Sequence, residues 1–114
     1  MALAGNALSV NSLDPRFREA VGFLLQVAPA LGATSVRITS TRRSRAQQTK
    51  LYAAYVAGKS AFPAARPGTS KHERGLAVDL VVTPASAQAL LGRWWQSVGG
   101  IWGGTFKDPI HFEL

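Results

Sequence analysis

His72 and His111 are the only histidines in the chain, and each lies near a carboxylate in a stretch with the two-residue period of a β-strand. From Ser70 to Leu80 the sequence reads SKHERGLAVDL, a His-x6-Asp spacing between His72 and Asp79. Leu76, Val78, Leu80 and Val82 fall on one face of an alternating strand, leaving Ala77, Asp79 and Val81 on the other. The final residues, DPIHFEL, repeat the pattern: Ile110, Phe112 and Leu114 share one face, His111 and Glu113 the other. If these strands are neighbours with their polar faces together, Asp79 and His111 converge, and His72 arrives from the loop before Gly75. Two imidazoles and one carboxylate are a complete protein ligand set for a catalytic zinc, which keeps its fourth position for water. The same set binds iron(II) in oxygenases. The bland alternative is a pair of ordinary hydrogen-bonded histidines and an edge carboxylate, because His-x6-Asp is not a self-sufficient motif.

Several elements must position these groups. Ser35 to Thr41 alternates Val36 and Ile38 against Arg37 and Thr39 and reads as a strand. Ser44-Arg45-Ala46-Gln47 has the spacing of a capping box, so a helix runs from there to about Val56 and closes at Gly58. Arg42 and Arg43 then precede a helix N-terminus, where the dipole disfavours cations by roughly 0.3 to 1 kcal/mol each, so the cluster wants an anion. A guanidinium holds a carboxylate by two parallel hydrogen bonds, which makes substrate carboxylate one candidate; a solvated basic turn is the other. Residues 59–71 are a loop by composition, with Pro63, Pro67 and Gly68 as breakers, and a loop of this length leading into a ligand is a natural cleft wall.

Two further helices supply the core. Asp14-Pro15 reads as an N-cap with proline in the first turn, followed by an apolar stripe of Phe17, Val21, Leu24, Leu25, Ala28 and Leu31 up to Gly32, with Pro29 tightening the last turn. Thr83-Pro84 repeats the cap signal before a helix carrying Leu90, Leu91, Trp94, Trp95 and Val98, which stops at Gly99-Gly100. Both stripes are core. Trp102, between glycines, is read as core, with a place on the cleft floor as the alternative. Residues 1–13 are expected to be irregular.

The 114 residues form one domain, of a size that buries roughly two thirds of its unfolded surface. There is no cysteine, which excludes disulfides and thiolate metal sites. The net charge is +7, with thirteen Lys and Arg against six Asp and Glu, nine of the thirteen being Arg. That balance favours an anionic partner. No zinc-finger, helix-turn-helix or aromatic RNA-binding pattern points to a specific nucleic acid. No run of eighteen apolar residues offers a membrane span, and the first positive charge comes only at Arg16, against a secretory signal. The expectation is a chain kept in the cytoplasm until released, or carried in a virion.

Taken together, three blocks resemble a family. Ser70-x-His72-x-x-Gly75-x-Ala77-x-Asp79 and Asp108-Pro109-Ile110-His111-Phe112-Glu113-Leu114 resemble the two signature blocks of the zinc D-alanyl-D-alanine carboxypeptidase and L-alanyl-D-glutamate endopeptidase family, which includes many phage endolysins. Thr39 to Ser44, with Gln48 and Leu51-Tyr52, resembles its arginine-containing strand-to-helix junction. The resemblance implies a small α+β fold, an antiparallel sheet with packed helices, akin to the hedgehog signalling domain. It implies one zinc per chain on His72, Asp79 and His111, and substrate contacts from Arg43, Gln48 and Ser70; Arg42 receives no role.

Three acids, Glu73, Asp108 and Glu113, are candidates for the general base that amide hydrolysis needs. The resemblance selects Asp108, three residues before His111, where many relatives carry glutamate. Aspartate is shorter by about 1.5 Å and resembles the endopeptidase branch. A regular strand through residue 108 would turn Asp108 and His111 to opposite sides, so the chain must bend at Asp108-Pro109. Glu113 is the fallback base. The implied function is zinc-dependent hydrolysis of peptidoglycan stem peptides by a monomer, as an L-alanyl-D-glutamate endopeptidase; a D-alanyl-D-alanine carboxypeptidase and a non-catalytic wall-binding zinc module are the alternatives.

Overall fold

Alternation along one strand decides the layout of the whole sheet. A computed structural model describes residues 10–61 and 63–114, and its central strand, β2 (Ala77–Thr83), buries Val78, Leu80 and Val82 toward one side while Asp79 faces the other. β1 (Ser35–Ser40) pairs antiparallel with one edge of β2, matching Val36 with Val82 and Ile38 with Leu80. β4 (His111–Glu113) pairs antiparallel with the other edge, and the short β3 (Ile101–Trp102) lies outside it, giving the order β1-β2-β4-β3. With three helices, this is the expected α+β architecture around an antiparallel sheet.

The core lies between the apolar sheet face and two of the helices. In α1 (Pro15–Ala30), Phe17, Val21, Leu24 and Ala28 are buried, and the Asp14 side chain accepts the Arg16 amide N–H at 3.0 Å. Pro29 sits within the last turn, where the Leu31 amide is shared between the carbonyls of Ala28 and Val27, the tightening expected from a missing proline N–H. In α3 (Ala85–Ser97) the buried residues are Ala87, Gln88, Leu91, Gly92 and Trp95. Leu90 and Val98, expected in that stripe, are exposed. Gly92 takes their place because Trp102 lies flat against it, its ring where a Cβ would be, at 2.1 Å. Trp102 therefore packs behind the sheet rather than on the cleft floor, its indole N–H donating to the Pro109 carbonyl at 2.7 Å. Thr83 does not cap α3 as expected: it ends β2, and Pro84 takes the N-cap position without a side-chain bond.

The irregular segment expected over residues 1–13 lies outside the described residues as far as residue 9. Val10–Ser12 form a 3₁₀ turn, and Leu13 is buried in the core. No helix among the described residues is long and apolar enough to cross a membrane.

β4 is too short to pair with all of β2, and its pairing stops at Asp79. Beyond that point Gln88 supplies what a strand would. Its amide oxygen accepts the Val82 N–H at 2.8 Å, and its amide nitrogen donates to the carbonyls of Leu80 and Pro109, each at 3.0 Å. One buried side chain thus seals a strand edge and ties it to the turn before His111. Replacing Gln88 with Leu leaves the Val82 N–H and the Leu80 carbonyl without a partner, while Pro109 keeps the Trp102 indole, and should lower stability by about 2–3 kcal/mol. Chemical unfolding checks this; a loss below about 0.5 kcal/mol would mean that water replaces the amide.

Candidate metal centre

The register brings the ligands together. Asp79 of β2 stands directly opposite His111 of β4, while the flanking pair Val78 and Phe112 enters the core. His72 comes from a 3₁₀ turn, Lys71–Arg74, built by a capping box: the Ser70 hydroxyl accepts from backbone N–H groups of the turn, and the Glu73 carboxylate accepts from the Ser70 N–H. Gly75 ends the turn at φ 72°, pressed so closely against the chain entering α1 that a Cβ would lie 2.7 Å from the Asp14 nitrogen. Only glycine fits that conformation and that space.

Donor chemistry is fixed by what each ring does on its far side. His72 is 2% exposed; its Nδ1 lies 2.9 Å from the Thr41 carbonyl oxygen, which can only accept. The ring therefore carries its proton there and turns a bare Nε2 toward Asp79 Oδ1, 3.3 Å away. His111 is oriented the other way round. Its Nε2 bonds the Glu113 carboxylate at 2.7 Å, and its Nδ1 lies 3.4 Å from the same Oδ1. Oδ1 is buried and has no hydrogen-bond partner among the described residues, since neither imidazole is aligned to donate to it. With both rings neutral, three lone pairs face one another, all within 4.8 Å.

A cation resolves that arrangement. Tetrahedral coordination at 2.0–2.1 Å sets donor atoms roughly 3.3–3.4 Å apart, which is the spacing of both imidazole nitrogens from Oδ1. The outer partners, a carbonyl on one histidine and a carboxylate on the other, are the kind that orient metal-bound imidazoles. His72, Asp79 and His111 fit a divalent metal.

The charges agree. Burial works to raise the Asp79 carboxyl, but His111, His72 and Arg43 outweigh it and hold the group well below the usual carboxylate range. Burial works to lower the His111 imidazole, yet Asp79 and Glu113 leave it raised. Asp108 is pushed up, first by burial and then by the nearby Asp79 charge. Glu113 is lowered despite its burial, by Lys71 and His111.

Around the ligands, each residue singled out in the sequence has a definite place. Arg43 bonds the second Asp79 oxygen at 3.1 Å, the Gln48 amide oxygen at 3.2 Å and the Ser40 hydroxyl at 3.0 Å. Gln48 is 0% exposed, and its amide nitrogen donates to the Ala65 carbonyl at 2.8 Å. Instead of meeting substrate directly, it fixes Arg43 and the loop over residues 63–69. Ser70 lines the cleft while capping the His72 turn. The chain bends at Asp108-Pro109: the His111 N–H bonds the Asp108 carbonyl at 3.0 Å, a turn that carries Asp108 into the same cleft as His111. Gly103 makes room for it, since a Cβ there would lie 2.1 Å from the Asp108 carbonyl oxygen.

Of the three candidate acids, Glu73 is engaged by Arg45 and by the amides of Gly68 and Ser70. Glu113 is held between His111 and Lys71, each at 2.7 Å. Asp108 alone among them makes no side-chain hydrogen bond or ion pair with the described residues. The cleft has a volume of about 660 Å³.

Sequence reasoning missed Ser40, Thr41 and Lys71. A bulge in β1 shifts the pairing so that Ser40, not Thr39, stands opposite Asp79. Strict alternation hides this. Lys71 had a signal, a basic residue beside a proposed ligand, but nothing in the sequence placed it against Glu113.

A three-donor candidate metal centre thus opens into a cleft on the polar face of an antiparallel sheet. A family model described as VanY, D-alanyl-D-alanine carboxypeptidase, matches residues 10–106, and the chain belongs to that family of peptidoglycan-acting peptidases. Solved structures share the fold. One is the vancomycin resistance D,D-pentapeptidase VanY from a VanB-type cassette, an E175A mutant in complex with Zn(II), at TM-score 0.67 and 22% identity over 89% of this chain and 71% of that one. Another is the Serratia marcescens L-Ala D-Glu endopeptidase ChiX, at TM-score 0.58 and 24% identity over 92% and 82%. A third is the L,D-carboxypeptidase DacB of Streptococcus pneumoniae, at TM-score 0.63 and 25% identity over 98% and 68%. No curated protein sequence matches the chain.

Replacing Glu113 with Gln keeps the ligands but weakens the hold on the outer side of His111. Metal affinity, read by competition with a chromogenic chelator, should fall by roughly 10- to 100-fold; unchanged affinity would show that Glu113 does not orient the ligand.

Proposed function

We propose that this protein is a zinc-dependent L-alanyl-D-glutamate endopeptidase of the endolysin type, acting on the stem peptides of bacterial cell-wall peptidoglycan with one zinc per chain, as a monomer. The observation that carries the reading is the buried, partnerless Asp79 oxygen between two bare imidazole nitrogens, at the head of a cleft that also receives Asp108.

His72, Asp79 and His111 would hold the zinc, and the chemistry it would supply there is Lewis acidity toward the scissile carbonyl and toward water. The other steps belong to the chain. Asp108, with no internal partner, accepts the water proton and returns it to the leaving nitrogen. Its raised pKa helps with the second half of that task, because a carboxyl that holds a proton more readily delivers it to the amine. Arg43 engages three of its five N–H groups internally, leaving two to hold a substrate carbonyl or carboxylate. Ser70 accepts a backbone bond through its oxygen, so its O–H is free to donate to substrate.

Two observations favour internal cleavage. Aspartate rather than glutamate precedes His111 by three residues, as in the endopeptidases that the site resembles. A second groove also adjoins the cleft at Arg43 and Arg74, which line both, and it offers space for peptide beyond the scissile bond. The description of the matched family favours a second reading, D-alanyl-D-alanine carboxypeptidase. Mass spectrometry of digested muropeptides separates the two: new D-glutamate amino termini are expected, and loss of terminal D-alanine alone would replace the first reading with the second. No new termini and no D-alanine release would leave a non-catalytic wall-binding module.

An Asp108→Asn variant should keep its metal and lose hydrolysis by roughly 10²- to 10⁴-fold; full activity would reject the base assignment. Asp108 must be ionised to accept a proton, and its pKa is raised. The rate should therefore fall with decreasing pH along a limb that begins above the range of an ordinary exposed aspartate. That limb should be missing from the residual activity of Asp108→Asn.

A further inference from the structure

Beside the cleft runs a groove of about 650 Å³ lined by Arg42, Arg43, Arg45, Arg74 and Glu73. Its charges do not cancel. Glu73 is the one acid among the lining residues, and its carboxylate is already divided between Arg45 Nε at 3.2 Å, the Gly68 N–H at 2.7 Å and the Ser70 N–H at 3.4 Å. Arg43 is neutralised from the other side by Asp79. Arg42 touches only a backbone oxygen, the Glu73 carbonyl at 3.3 Å. Neither Arg42 nor Arg74 forms an ion pair with the described residues, and both are exposed. Asp14 feels the Arg42 charge without bonding it, so two guanidinium groups that no carboxylate bonds line one groove, and a groove lined by like charges favours an anion.

The groove adjoins the cleft: Arg43 and Arg74 line both. We infer that it is a substrate subsite, taking a carboxylate that the stem peptide carries beyond the scissile bond. This rests on the peptidase reading above: a peptide threaded past the metal toward Arg74 places its next acidic group between Arg42 and Arg74. The planar guanidinium fork suits a carboxylate bound through two oxygens. The subsite sets the direction of the peptide in the cleft and makes affinity depend on its free carboxylates.

The test separates binding from turnover. Zinc-loaded Asp108→Asn protein is titrated calorimetrically with two synthetic stem-type peptides identical except that the acidic side groups of one are amidated. The carboxylated peptide should bind roughly three- to tenfold more tightly, and the preference should shrink as salt rises. It should shrink several-fold in a protein that also carries Arg42→Gln and Arg74→Gln, and recover in part with Arg42→Lys and Arg74→Lys, which keep the charge and lose the fork. Circular dichroism verifies that each variant is folded. Equal affinity for the two peptides, or a preference undiminished by the double Gln change, overturns the subsite. Displacement of the peptide by poly(glycerol phosphate) at lower concentration than by the free carboxylated peptide overturns it in favour of a phosphate-polymer site. If wild-type protein fails to cleave either peptide, the peptidase reading falls, while the titration still decides whether the groove binds carboxylate.

Discussion

One buried oxygen constrains this structure more than any other atom. Asp79 Oδ1 has no hydrogen-bond partner among the described residues, and a carboxylate taken from water without compensation is among the most expensive things a protein can bury. When both rings are neutral and no cation is present, its neighbours offer that oxygen no proton. Thr41 and Glu113 hold the imidazole protons on the outer side of each ring, leaving lone pairs where a donor would be welcome. The partial remedy within the chain is a proton on His111, whose pKa the two flanking carboxylates raise. A divalent ion is the complete remedy, and the donor spacing already suits one. Much of the surrounding structure holds this arrangement open: the capped His72 turn, Arg43 on the second Asp79 oxygen, and Lys71 on the far side of Glu113.

The same physics separates the acids. Glu73, Asp108 and Glu113 are alike in chemistry and all lie within reach of the site, yet their surroundings give them different work. Glu73 faces backbone amides and Arg45, so it holds a loop. Glu113 faces an imidazole and an ammonium group, which stabilise its charge and lower its pKa. Asp108 faces the cleft with burial and a neighbouring carboxylate opposing its charge. Those surroundings raise the Asp108 pKa, whereas those of Glu113 lower its own.

How far the sequence carries toward this picture depends on whether a feature is periodic. The alternation of Val78, Leu80 and Val82 against Asp79, and of Phe112 against His111, predicts both strands and the face that holds the ligands, and the pairing of Asp79 with His111 follows once the strands are neighbours. The capping box at Ser44 and Gln47 fixes the start of α2 (Arg45–Val56), and both of its bonds form. Features that depend on one strand's exact length or on a single irregularity were invisible. The β1 bulge that exchanges Thr39 for Ser40 has no residue signature. Neither does the use of Gln88 as a substitute strand edge, which arises only because β4 is short. Leu90 and Val98 have the spacing of a core stripe, but Trp102 covers Gly92 instead, a tertiary choice that overrides helical periodicity.

α2 shows why a helix can be correct in sequence and still be misjudged in purpose. It has good caps and an ordinary length, but Gln48 is its one buried residue, and its apolar Leu51 and Tyr55 remain 42% and 41% exposed. Core packing therefore does not hold it in place. Its anchors lie at the N-terminal end: Gln48 to Arg43 and to the Ala65 carbonyl, and Arg45 to Glu73. Every one of these bonds reaches either a residue on a metal ligand or the loop beside it. Leu51 and Tyr55 line the cleft, so the apolar surface that would belong to the core in a bundle helix is here left for a ligand to cover. The helix is a wall of the cleft, positioned by polar contacts that converge on Asp79 and His72, and its exposed apolar face lines that cleft.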